Sequence, residues 1–190
     1  MQQLLMRRFA APAQPIKLAE GYTMRRYSTD ADAQAWIDIA ATGKLLPEGA
    51  AADWFFENMV TYRDLAVENV FFICHEGKPI ATITAVKHRE GYADIGYVHM
   101  VACLPEYRGK GLGTQLNNIV CEQFEKWCCV SSYLTTDDFR LPAIRSYISA
   151  GFLPDMAGED MDARWRELAK LMGVGELKVV RDGVVGRLLL

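Results

Sequence analysis

The sequence has little of what would mark a metalloprotein, a membrane protein or a nucleic-acid binder. Its five cysteines, Cys74, Cys103, Cys121, Cys128 and Cys129, form no CxxC pair and have no histidine at metal-ligand spacing, so no metal site is expected. Reduced, mostly buried thiols are the reading instead. No stretch approaches the roughly 20 apolar residues that span a bilayer, and the opening MQQLLMRRFAAPAQP lacks a secretory-type apolar run. A cytoplasmic chain with no membrane partner is expected. A formal charge of −3 provides no global basic field, which argues against nucleic acid and for a small or local ligand. Internal repeats and low-complexity linkers are also missing.

What is present is an ordinary globular composition: 51% hydrophobic and 24% charged over 190 residues, enough for one domain with a modest terminal extension. Residues 1–20 read as a polar, proline-containing leader, 21–157 as the domain and 158–190 as an appended helix and hairpin. Tyr22 to Tyr27 alternates as a short strand, and Ser28-Thr29-Asp30 can cap a helix through Trp36, Ile37 and Ala40 that ends at Gly43. A second helix is predicted from about Ala51 to Arg63, with Phe55, Met59 and Tyr62 on one face. Strands then follow at Asn69–Cys74, Pro79–Val86 and Ile95–Cys103, joined by Glu76-Gly77-Lys78 and Arg89-Glu90-Gly91, as an antiparallel meander.

From Gly113 to Cys129 the apolar positions Leu116, Ile119, Val120, Phe124 and Trp127 recur every three or four residues, the mark of an amphipathic helix packed on a sheet. A strand at Val130–Thr135, a helix at Leu141–Ala150 closed by Gly151, and an extended Phe152-Leu153 come next. Beyond Pro154, Met161, Trp165, Leu168 and Met172 make a helical stripe. Arg181-Asp182-Gly183 joins two short strands. This tail is expected to cover a sheet edge or to contact a second copy in a homodimer.

The segment Val101 to Thr114 carries the chemistry. It holds Arg108, Gly109, Lys110, Gly111, Leu112, Gly113 and Thr114 between an apolar strand and an amphipathic helix. Glycines let the backbone approach a ligand, and the free N–H groups at a helix start favour phosphate oxygens. Arg108 and Lys110 add two cations, so a diphosphate-binding loop is expected. Its spacing fits neither the Walker A loop, which needs GxxxxGK followed by Ser or Thr, nor the GxGxxG dinucleotide fingerprint.

The same stretch resembles the acyl-CoA signature of the GNAT acetyltransferases: Gln or Arg, two residues, Gly, one residue, then Gly or Ala, matched by Arg108, Gly111 and Gly113. A second family pattern is matched in order and spacing by Ala143, Tyr147, Gly151 and Phe152. Arg140 departs from the family, which often has Asn there. The resemblance covers roughly Tyr22 to Pro154. It implies an α/β (α+β) GNAT fold, a mixed, mostly antiparallel central sheet splayed at a bulge and flanked by helices, with acetyl-CoA as cosubstrate in the opening. Backbone groups of Val101 and Cys103 would pair with its pantetheine arm. The implied activity is N-acetyl transfer to a primary amine of a small metabolite or a peptide terminus, the alternative being a CoA-binding sensor without turnover.

Tyr147 matches the family's tyrosine and is the candidate acid for the departing thiolate, because a phenol keeps its proton at neutral pH. His99 is the candidate base, its ordinary pKa near 6.5 suiting the role. Strand alternation would place it on the same face as Val101. Asp94 and Tyr97 are rivals, and packing is the competing role for both candidates. His75 and His88 flank turns and are expected to be solvated, and Cys103 lacks any mark of a lowered pKa. The Trp54-Phe55-Phe56 cluster is expected to be core, with an acceptor pocket as the alternative.

Overall fold

The structure, a computed structural model, describes residues 2–61 and 65–189. Its strands are β1 (Leu4–Phe9), β2 (Tyr22–Arg26), β3 (Val70–His75), β4 (Lys78–Glu90), β5 (Ala93–Cys103), β6 (Ser131–Thr136), β7 (Leu153–Pro154), β8 (Glu176–Arg181) and β9 (Val184–Leu189). The helices are α1 (Ala31–Thr42), α2 (Ala52–Phe55, continued by a π-helical stretch Phe56–Thr61), α3 (Leu112–Lys126), α4 (Leu141–Ser149) and α5 (Met161–Met172). Seven strands form one sheet in the order β2-β3-β4-β5-β6-β1-β7, with β5 and β6 parallel and every other pair antiparallel. This is the mixed α/β arrangement of the GNAT fold. Of the helix expected at 51–63, Tyr62 and Arg63 lie outside the described residues.

Each sheet face has its own core. On one, α3, α4 and α5 bury Leu116, Val120, Phe124, Ile144 and Trp165 against Phe71, Ile73, Ile83 and Val98. On the other, α1 and α2 bury Trp36, Phe55 and Met59 against Val70, Phe72 and Cys74. Phe55 is therefore core, stacked on Tyr27 at 5.4 Å. Asp32 fixes the start of α1. It accepts from both ends of the Arg25 guanidinium and from the N–H groups of Ser28 and Thr29. Burial raises its pKa, but these donors together outweigh burial and hold it at about 2.

The segment read as a polar leader is a structural strand. Leu4 and Met6 are fully buried, and β1 sits between β6 and β7. Arg8 conceals the alternation, because it continues the apolar face while its guanidinium is capped by the carbonyls of Ala150, Ala11 and Pro12. The chain then runs along α3, with the Ala13 N–H on Glu125 and the Lys17 N–H on Gln115.

The tail forms its expected helix and hairpin, and both join the larger core: Trp165 is fully buried, and Leu177, Val179 and Leu188 lie in the same cluster. Met156 N–H bonds the Val180 carbonyl at 2.8 Å, bridging β7 to β8. A core shared this far should unfold as one unit. Trp165→Ala should cost about 3–5 kcal/mol in urea unfolding while keeping a single transition. An early, separate transition of the tail would contradict this.

Candidate active site

Strand β5 is bulged where the sheet opens. Thr84 pairs with His99 and Thr82 with Ala102, so Met100 and Val101 together oppose Ile83 alone. Met100 takes φ 54° to make the extra step. On the other side, β5 follows β6 only through Ile95/Ser131, Gly96/Ser132 and Tyr97/Tyr133. Beyond Tyr97 the two strands separate, leaving a gap lined by the second half of each.

The bulge also corrects the expected alternation. His99 and Ala102 share the face of Thr84 and Thr82, whereas Val101 and Cys103 pack against the α3 core. Hence His99 and Val101 point to opposite faces. His99 is almost buried at 9% exposure, and its Nδ1 lies 3.2 Å from the Tyr97 hydroxyl.

The glycine loop closes the α3 side of the gap. Gly109 and Gly111 adopt φ 77° and 76°, left-handed values costly for other residues, with open space around both Cβ positions. Among the described residues, the N–H groups of Gly109, Lys110, Gly111, Leu112 and Gly113 find no acceptor in the protein. Five adjacent donors at the start of a 15-residue helix are an arrangement that suits an anion. The Leu112 side chain is core, and Thr114 begins the helix's internal bonding through the Gly111 carbonyl. Gly113 has a packing role as well: a Cβ there would meet Ser146 of α4 at 3.3 Å.

The two loop cations do not stand free. Arg108 donates from Nε to the Cys103 carbonyl (3.0 Å) and from Nη2 to the Thr42 carbonyl (2.9 Å), while Lys110 Nζ sits 4.9 Å over the Tyr107 ring. From across the gap, Arg140 bonds Asp137 and the Gly43 carbonyl at 3.1 Å. Two arginines thus hold the carbonyl end of α1, where cations are favoured. Thr42 and Gly43 carried no sequence signal for this beyond marking a helix end.

Tyr147 is 6% exposed and its hydroxyl has no protein partner among the described residues. Burial pushes its pKa up to about 12, with Arg140 opposing and Tyr97 adding to the shift. Its ring packs in the α3-side core, edge-on to Phe152 at 6.4 Å. Burial likewise holds the Cys103 thiol at about 11, protonated and poorly nucleophilic. Asp94 is engaged by Lys87 (3.0 Å) and Arg89 (3.1 Å), which hold its pKa down. His75 is half-buried between Tyr22 and Tyr107, and His88 is exposed, as expected, in a ring cluster with Tyr97 and Tyr133. Among the described residues no group of three or more potential ligands could hold a metal ion, and no helix is long and apolar enough to cross a membrane.

This geometry agrees with the comparisons. Residues 31–152 match the model of the acetyltransferase (GNAT) family, and the chain belongs to that family. Among solved structures it is similar to the GCN5-related N-acetyltransferase of Sphaerobacter thermophilus (18% identity, TM-score 0.65, covering 80% of this chain and 48% of that one). It is also similar to the GCN5-related N-acetyltransferase of Kribbella flavida (17%, TM-score 0.56, covering 80% and 54%). The chain thus spans about half the length of these two. A third similar structure is the NatC complex bound to Gag peptide and CoA (16%, TM-score 0.53, covering 67% and 81%). No curated protein sequence matches the chain.

If the two arginines hold α1 at the gap, Arg108→Ala and Arg140→Ala should each speed amide exchange in the segment 41–46 by at least about tenfold, as expected for losing a charge-assisted bond. Exchange in α3 should be unchanged. Unaltered exchange at 41–46 would show that other contacts hold the helix end.

Proposed function

We propose that the chain moves an acetyl group from acetyl-CoA to a primary amine of a small metabolite or a peptide terminus by direct attack. The observation that carries this reading is the run of five unpaired N–H groups, from Gly109 to Gly113, beside a gap between two parallel strands. The residues present fit the cosubstrate, because backbone donors and the α3 dipole suit a diphosphate without needing Arg108 or Lys110 to be free. Val101 in the bulge and Cys103 beyond it offer backbone along the gap to the pantetheine arm. Acetyl-CoA supplies the activated thioester.

His99 takes the proton from the amine, directly or through water, and Tyr97 holds the imidazole by its hydroxyl. Tyr147 donates a hydrogen bond to the sulfur as negative charge develops there. A phenol held at about 12 is a weaker acid than a thiol near 8.5, so a hydrogen bond rather than complete transfer is the larger part of its help. The exposed Val184, Val185 and Leu189 of β9 support contact with a second copy.

Thiol release from acetyl-CoA across amino acids, polyamines, aminoglycosides, arylalkylamines and peptides tests the reading. Tyr147→Phe should lower kcat by about 10–10²-fold, the scale of one hydrogen bond to a charged group, with CoA affinity kept. His99→Ala should lower kcat/KM at neutral pH and recover most of the loss at high pH, where the amine deprotonates without help. A pH-independent loss would assign His99 to packing. CoA binding with no thiol release for any amine would make the protein a sensor.

A further inference from the structure

On the sheet face opposite α3 and α4, ring side chains from three neighbouring strands stand together. Tyr97 of β5 and Tyr133 of β6 stack with centroids 4.8 Å apart and planes 23° from parallel. His88 of β4 lies 5.9 Å from Tyr97 and 6.3 Å from Tyr133, again at low interplanar angles. His99 closes the group at 5.2 Å from Tyr97. Tyr97 and Tyr133 are also the last residues paired before β5 and β6 diverge, so the stack stands at the vertex of the gap.

Among the described residues, no helix roofs the rings. The core beneath α1 and α2 takes no residue from β6, β1 or β7. Tyr97 and Tyr133 are half-buried, His88 is exposed, and across β1 the neighbours Leu5, Arg7 and Phe9 run from half-buried to exposed. A stack with this much open surface has not been used up by packing.

Charge decides what the surface suits. On the ring face Arg7, directly across from Tyr133, engages Asp155 at 3.1 Å, while Lys87, Arg89 and Asp94 pair with one another on the α3 face. Glu90 is the further carboxylate acting on Tyr133. On this face one cation, Arg7, thus meets two carboxylates, Asp155 and Glu90, and two imidazoles flank the stack. One carboxylate in excess makes no dense acidic lining for a polycation, whereas flat, weakly polar ring faces favour another flat ring.

We infer that Tyr97 and Tyr133, backed by His88, form an acceptor subsite for the flat aromatic group of an arylalkylamine-type substrate. The inference rests on the transferase reading for the fate of the amine, but ring binding itself needs no turnover. The vertex position sets the ring beside His99, so an amine on a short linker reaches the imidazole.

The test is calorimetry on the full chain saturated with CoA, using 2-phenylethylamine, 2-cyclohexylethylamine and spermidine. The phenyl compound should bind about threefold to tenfold tighter than its cyclohexyl counterpart, as ring stacking predicts. Tyr133→Leu should bring the two within about twofold, and Tyr133→Phe, which keeps the ring, should retain the preference. Equal affinities in the unmodified protein, a preference that survives Tyr133→Leu, or spermidine binding tightest would overturn the subsite. Saturation-transfer NMR between the phenyl protons and the Tyr97 and Tyr133 rings tests the same contact without a variant, and its absence at saturating ligand would also overturn it. Ring-selective binding without acetyl transfer would sink the transferase reading and leave the subsite standing. Acetyl transfer with no ring preference would sink the subsite alone.

Discussion

The parting of β5 from β6 after Tyr97 and Tyr133 is the constraint on which the rest of the molecule depends. Inside a sheet, backbone donors and acceptors are satisfied by the neighbouring strand, and a gap leaves them to side chains, water or a ligand. The bulge at Met100 and Val101 keeps β5 paired to β4 while β6 departs. It also turns His99 away from the α3 side. Two faces of one strand are thereby presented at the gap, Val101 and Cys103 on one and His99 and Tyr97 on the other, and the proposed function gives the first to the cofactor and the second to the acceptor.

The same gap explains why so many polar contacts converge on α1. Its last carbonyls, at Thr42 and Gly43, receive Arg108 from the loop after β5 and Arg140 from the turn after β6. Cations at a helix C-terminus are favoured, and each also satisfies an orphan carbonyl. At its other end, α1 is anchored by Asp32 on Arg25. The helix is thereby fixed relative to both edges of the opening, and the aromatic core under α1 and α2 keeps it there. Arg108, read in the sequence as a ligand-binding cation, is a tie to α1 in this state, and among the described residues the backbone groups of Gly109 to Gly113 are donors without a protein acceptor.

Most of the fold was legible because local chemistry and long-range packing agreed. The α3 stripe, the Glu76-Gly77 and Asp182-Gly183 turns and the Gly43 helix end all appear where the residues put them, within a residue or two. Strand β1 was hidden because Arg8 occupies a core-facing position that alternation assigns to an apolar residue. The glycines placed the turn between β5 and α3, and the second motif placed Tyr147 in α4. The orientation of His99 was not legible, since a bulge shifts the face by one residue and Met100 gives no sign of a positive φ. The ring cluster was equally silent: His88, Tyr97 and Tyr133 lie on three strands whose register no short motif encodes.

The central claim is that the Gly109–Gly113 backbone holds the cofactor's diphosphate, and CoA titration of two variants at one position tests it most directly. Gly111 has φ 76° and open space around it. Gly111→Ala therefore adds backbone strain of about 1–2 kcal/mol with no clash, whereas Gly111→Asp adds the same strain and a carboxylate beside the donors. The account predicts that Gly111→Ala weakens CoA binding by no more than about tenfold, while Gly111→Asp abolishes it in a protein that is still folded. CoA affinity unchanged in Gly111→Asp would place the diphosphate elsewhere and contradict the account.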